Sequence, residues 1–246
     1  MTSRRAKRLR VLGALSATAL VPGALYWLCM SPYSQALGRF PYRGRTRQRV
    51  VALTFDDGPN EPYTSQIADY LDAQGIRATF FQVGKAVARH PDVTRRLLDG
   101  GHVIGHHGNA HDFPVYLRKS SLDTDMRQAT AMFEAHGIRP ALYRPPWLLR
   151  IPALFDLVRR EGMRPVSGEF CHPLEVLQIA PGRIARTAVA KVRPGSIVIF
   201  HDGHDGHAGP RASTVAAVKI VVEALRDKGY RFTTVDKLLG VPAYRS

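Results

Sequence analysis

The chain has 246 residues, 45% hydrophobic and 22% charged, enough for one domain with a substantial core and unlike a disordered chain. Its Gly and Pro follow no repeat, which excludes collagen-like and solenoid architectures, and two Cys cannot build a disulfide framework. The formal charge of +15 suggests nucleic acid until it is divided along the chain: residues 1–49 hold ten Lys and Arg and no Asp or Glu, leaving +5 for residues 50–246. The basicity belongs to the leader, and no nucleic-acid partner is expected.

Five of those basic residues lie within Met1–Arg10 and precede Val11–Met30, an uncharged stretch. A basic flank before an apolar run is the pattern of a secretory signal or a signal anchor. Twenty residues suit one membrane span of roughly 30 Å, and Tyr26 and Trp27 suit its interface. Pro22 and Gly23 interrupt the run, and Ser34-Gln35-Ala36 is a tolerable cleavage site. Residues 1–36 are therefore expected to be an N-terminal apolar helix retained as a membrane anchor, with the domain exported. Cleavage and secretion is the alternative. Residues 37–49 read as an Arg-rich linker, either near anionic membrane groups or as a plain solvated tether.

From residue 50 to about 240 the pattern is that of one domain, with residues 241–246 as a tail. Val50–Phe55 is a short apolar, β-branched run ending in carboxylates, which suits a buried parallel strand. Tyr63–Gln74 predicts a helix stopped by Gly75, and Ala78–Val83 a second buried strand. Helical signals recur at Pro91–Leu98, Leu122–His136, Pro152–Glu161, Arg183–Val192 and Val215–Asp227. Short strand candidates lie between them at His102–Ile104, Ala141–Tyr143, Pro165–Val166, Ser196–Phe200 and Arg231–Thr234. Alternation of this kind predicts an α/β fold with a parallel sheet or barrel, whose active residues sit at the C-terminal ends of strands.

Three clusters occupy such ends. Asp56 and Asp57 follow the first strand, where paired carboxylates repel unless a cation intervenes, although Asp-Asp-Gly-Pro is also good turn chemistry. Arg144 follows Ala141–Tyr143 and could orient a carboxylate or make a surface ion pair. His201 and Asp202 follow Ser196–Phe200, where a satisfied core histidine is the alternative to a functional one. His107 and His111 stand four apart, a spacing that with one carboxylate makes a three-ligand set for a divalent metal.

Together, TFDDGPN (Thr54–Asn60), GHVIGHHGNAH (Gly101–His111), RPPW (Arg144–Trp147) and GSIVIFHDG (Gly195–Gly203) resemble the polysaccharide deacetylases, the NodB-homology domain of carbohydrate esterase family 4. The resemblance spans residues 49–239 and implies a distorted (β/α) barrel of about seven strands. It implies Asp56 as general base, Arg144 holding it, His201 as general acid, and Asp57, His107 and His111 on a divalent metal, zinc first and cobalt next. Backbone N–H near Trp147 would meet the oxyanion, and Pro145, Pro146, Trp147 and Phe200 would contact the sugar.

The chain departs from the family pattern in three places. Gly108 replaces the usual Ser or Thr after the first metal His, which removes a brace of the metal loop. His106 stands where Asn or Asp is usual, as a spare ligand or a supporting residue. The D-x-x-D-W segment that supports the general acid is missing, and Glu175 is preferred over Glu169 in its place. Cys171-His172 reads as a structural loop, and His204, Asp205 and His207 as a pliable substrate-side loop. The expected function is a monomeric, metal-dependent N-deacetylase of an extracellular or cell-wall N-acetylhexosamine glycan. An O-deacetylase of acetylated xylan and a sugar-binding pseudoenzyme are the alternatives.

Overall fold

The computed structural model describes residues 21–246; the basic flank and the first half of the apolar stretch lie outside the described residues. Eight strands form one wholly parallel sheet: β1 (Val50–Asp56), β2 (Thr79–Gln82), β3 (Val103–His106), β4 (Leu142–Tyr143), β5 (Arg164–Pro165), β6 (Glu169–Phe170), β7 (Ile197–His201) and β8 (Arg231–Thr233). Their order is β5-β4-β3-β2-β1-β7-β6, with β8 on the first residues of β1. The helices are α1 (Tyr63–Ala73), α2 (Gly84–Arg89), α3 (Pro91–Asp99), α4 (Lys119–Ala135), α5 (Pro152–Arg160), α6 (Pro181–Lys191), α7 (Ala212–Asp227) and α8 (Val235–Leu239).

The two edge strands, β5 and β6, are joined by only three residues, Val166–Gly168. Four steps of chain reach at most about 14 Å, so the sheet must curl until its edges nearly meet. This is the distorted barrel that the family resemblance implies, closed by chain rather than by a ladder.

Strand alternation sorts every side chain. Val51, Leu53 and Phe55 of β1, Phe80 of β2, and Val198 and Phe200 of β7 face outward, into the main core under α1, α6 and α7. Phe55 stacks between Phe80 at 4.8 Å and Phe200 at 5.9 Å. Ala52, Phe81, Val103, Leu142 and Ile197 face inward and fill the barrel. That interior is tight: a Cβ on Gly105 would lie 2.5 Å from the Phe81 ring, so β3 can pass there only as glycine.

The N-terminal segment is not a free tether. Residues 21–30 are helical, and among the described residues no helix is long and apolar enough to cross a membrane. Residues 31–44 lie in the barrel seam, with Phe40 fully buried, Ser167 N–H donating to Pro41 O (2.9 Å) and Gly44 N–H to Gly195 O (2.8 Å). The C-terminal residues also pack, since Ala141 N–H donates to Ala243 O (2.8 Å) and Ile104 N–H to the Tyr244 hydroxyl (3.0 Å).

Phe200 corrects one expectation. It is fully buried in the outer core, one residue out of phase with the cleft, and cannot touch a sugar. Phe200→Ala should therefore destabilise the fold by about 3–5 kcal/mol in denaturant titration, as truncation of a core aromatic does.

Candidate active site

Parallel register brings the chemistry to one end of the barrel. Asp56 pairs with His201 across β1 and β7, and His106 pairs with Tyr143 across β3 and β4. The residues just past those strands, Asp57, His107 and Arg144, therefore converge on one cleft of about 410 Å³. Its lining includes Asp56, Asp57, His107, His111, Trp147 and His201.

Asp56 and Asp57 are adjacent yet do different work. Asp56, still in strand geometry, points into the barrel, where Arg144 Nη1 donates to its Oδ1 at 2.6 Å. The same guanidinium donates to Thr54 Oγ1 (2.8 Å) and Ser167 O (2.9 Å) and lies 4.1 Å over the Phe81 ring. Asp57 takes φ +76°, a left-handed conformation rare for a non-glycine residue. It carries the second carboxylate away from the first, toward the histidines.

Asp57 Oδ1 lies 3.2 Å from both His107 Nε2 and His111 Nε2, yet has no hydrogen-bond partner. The three ligand atoms face a common point rather than bonding one another, and all lie within 4.8 Å. That is the donor set and arrangement a divalent ion uses. Burial opposes ionisation of Asp57, but the imidazoles of His111 and His107 hold its carboxyl well below the usual range. His107 Nδ1 is 2.7 Å from Arg144 O, where an N–H can only donate, so Nε2 keeps its lone pair for a metal. Asp205 Oδ1 lies 3.1 Å from His111 Nδ1, outside good hydrogen-bond angles, while Asp205 N–H donates to Asp57 Oδ2 (3.1 Å). The pliable loop is thus a carboxylate set behind the ligands.

Gly108 has φ +79°, where a Ser or Thr would be strained. The loop is braced from elsewhere: the Asp125 carboxylate on α4 accepts Asn109 N–H (2.9 Å) and Ala110 N–H (3.0 Å). His106 Nδ1 accepts Gly108 N–H (3.1 Å), and burial pushes that imidazole down to about 3, so it is a neutral supporting group outside the ligand cluster. Asp125 escaped the sequence reading because it sits in an ordinary amphipathic helix outside every motif. Its only signal was an acid on the helix face that also carries Leu122 and Met126.

On the opposite wall His201 Nδ1 is 2.6 Å from Glu175 Oε2, with Thr214 Oγ1 donating to the other carboxylate oxygen. Against the desolvation that burial imposes, the charge and hydrogen bond of Glu175, with Asp57 and Asp56 beyond, push His201 up to about 9. Glu169 points elsewhere and accepts from Ser196 Oγ at 2.7 Å. Pro145 and Trp147 line the cleft and Trp147 packs 4.4 Å from the His111 ring, whereas Pro146 is buried beneath the metal loop. Phe170 takes the place expected of Phe200, lining the cleft and stacking on His201 at 6.3 Å. Cys171 is a buried free thiol, and His172 lines the cleft with its Nδ1 accepting Leu174 N–H (3.0 Å).

A parallel barrel with a His-His-Asp centre between a carboxylate–Arg pair and a His–Glu pair is the architecture of a metal-dependent hydrolase. The family profile described as Polysaccharide deacetylase matches residues 43–166. A peptidoglycan-N-acetylglucosamine deacetylase of Bacillus cereus is 33% identical over 193 residues, 78% of this chain and 89% of that protein. A chitooligosaccharide deacetylase of Azorhizobium caulinodans is 28% identical over 200 residues, 74% of this chain and 91% of that protein. In fold, a crystal structure of a peptidoglycan N-acetylglucosamine deacetylase superposes with a TM-score of 0.76 at 23% identity, covering 83% of this chain and 94% of that one. The chain belongs to the polysaccharide deacetylase family, which is metal-dependent, and Asp57, His107 and His111 are the residues that could hold the ion.

Two outcomes follow from this geometry. Asp125→Ala should release the loop and weaken divalent-metal affinity by roughly 10–100-fold, as loss of an outer support does, read by competition with a chromophoric chelator. Because His201 is protonated up to about 9, the alkaline limb of the rate profile should lie no higher than that. An ion beside Asp57 removes part of the carboxylate attraction and brings the limb lower. Glu175→Gln should move it further down, because the imidazolium then loses its counter-charge in a buried site.

Proposed function

We propose that this protein is a metal-dependent hydrolase that removes N-acetyl groups from N-acetylhexosamine residues of a cell-wall or extracellular glycan, of the peptidoglycan or chitin-oligomer type, with zinc as its ion. The observation that carries this reading is the placement of a held carboxylate, Asp56, and a protonated imidazole, His201, on either side of the Asp57–His107–His111 set. An ion held by those three supplies Lewis acidity to the acetyl carbonyl and to water.

The remaining work falls to the chain. Asp56, kept in position by Arg144, accepts a proton from the attacking water. Backbone N–H of the Trp147 turn would meet the oxyanion that develops at the carbonyl. His201, charged at neutral pH through Glu175, protonates the amine as the C–N bond breaks, releasing acetate and an amino sugar. The pseudoenzyme alternative rests on the lost D-x-x-D-W and on Gly108; Glu175 supplies the carboxylate beside His201, and Asp125 braces the loop that carries Gly108. We also infer export with the N-terminus held at the membrane, supported by the basic flank and the apolar residues that follow it in the leader.

Acetate release should be detected on chitin oligomers or peptidoglycan, and should vanish with chelation and return with zinc or cobalt. Asp56→Asn should retain metal while turnover falls by roughly 10²–10⁴-fold. Asp57→Asn should lose both. Release from acetylxylan alone would replace the N-acetyl reading with the O-acetyl one. Cell fractionation that finds the protein in the cytosol would overturn the export reading.

A further inference from the structure

Part of the cleft wall comes from the N-terminal segment, outside the catalytic motifs. Tyr26 and Met30, four residues apart on the helix of residues 21–30, line the same cavity as Asp56, Asp57 and His201. Met30 packs into the cluster that contains Trp147, while Tyr26 remains 56% exposed toward the opening. An amphipathic ring held at the mouth of a sugar cleft is suited to covering the C–H face of a pyranose.

The chain behind this helix is fixed by a buried cation. Arg150 is 1% exposed, and its guanidinium has no carboxylate partner; it donates instead to main-chain carbonyls of the segment ahead, Ser34 O at 2.5 Å and Ser31 O. Its own N–H donates to Cys29 O at 2.7 Å. A guanidinium presents a fixed fork of donors, and a buried one left unpaired is strongly unfavourable. Removing residues 29–34 would strip these acceptors from Arg150 together.

A second contact ties the segment to catalysis. Ser167 Oγ donates to Pro32 O (2.9 Å) and Ser167 N–H to Pro41 O (2.9 Å), while Ser167 O accepts from Arg144, the residue that holds Asp56. The segment therefore grips the residue that positions the base's partner, in the seam where the barrel lacks a ladder.

We propose that residues 26–41 are a permanent part of the enzyme: Tyr26 and Met30 form a substrate-binding wall of the glycan cleft, and the segment behind them, locked by Arg150, positions Arg144 through Ser167. The substrate-wall half rests on the deacetylase reading; the docking half does not. Cleavage near Ala36, the secretory alternative, is incompatible with both halves.

The test uses the full chain expressed with its leader. Intact mass of the purified protein should retain residues 26–41, and an N-terminus at Leu37 overturns the proposal. On N-acetylglucosamine oligomers, Tyr26→Ala and Met30→Ala should each raise KM about three- to tenfold, the loss of one partly exposed contact, with kcat within about twofold. Leu25→Ala, exposed on the same helix but outside the cleft, should match wild type. KM values for both wall variants indistinguishable from wild type overturn the wall. Arg150→Lys should speed limited proteolysis within residues 29–36 by about tenfold, the loss of one buried charged hydrogen bond; an unchanged cleavage rate overturns the lock. If wild type releases no acetate from any glycan, the deacetylase reading fails while mass and proteolysis still decide the docking.

Discussion

The site depends on one buried ion pair. Arg144 arrives at the barrel interior from the end of β4, and Asp56 from the end of β1, three strands away in the sheet. Both are essentially removed from solvent, where an isolated charge is prohibitive and a hydrogen-bonded pair is tolerated. Arg144 meets the condition by donating from its two terminal nitrogens to Asp56, Thr54 and Ser167 and by lying over the Phe81 ring. Removal of either partner would leave the other charge unpaired in low dielectric, a loss of about 3–5 kcal/mol. The carboxylate is thereby held in one orientation at the cleft.

That constraint explains how adjacent carboxylates avoid competing. Strand geometry commits Asp56 to the inward face and to Arg144, and the left-handed turn at Asp57 commits the next carboxylate to the histidines. Backbone strain of this kind is retained where surrounding contacts over-determine it. His111 (φ +50°) and Trp147 (φ +53°) share that feature and pack on each other in the same cleft. Each wall then has its own charge partner, Arg144 for the carboxylate side and Glu175 for the imidazole side.

Much of this was legible in the chain. Long, strongly patterned elements such as Val50–Asp56 and the helix Ala212–Asp227 announce themselves by apolar runs and helical periodicity. Some short elements did not: β6, α2 and α8 span two, six and five residues, shorter than the window over which a period can be read. The motif residues were legible as chemistry, since adjacent Asp, a His pair and a strand-end Arg have few other uses together. Phe200 was misread because it adjoins His201 in sequence while strand alternation sends it to the opposite face.

The sequence alone determined the parallel α/β class, the set of groups that could do hydrolysis, and the segregation of basic charge into the leader, because each depends on local pattern or composition. Tertiary structure decided which acids meet which partners. Glu175 rather than Glu169 reaches His201, Asp125 replaces the brace lost at Gly108, and Asp205 comes behind the metal ligands. Residues 31–44, which the sequence marks only as the end of the leader and the start of an Arg-rich linker, close the barrel seam and bury Phe40. These pairings join positions up to 148 residues apart, and only strand register and the curl of the sheet bring such positions within hydrogen-bond distance.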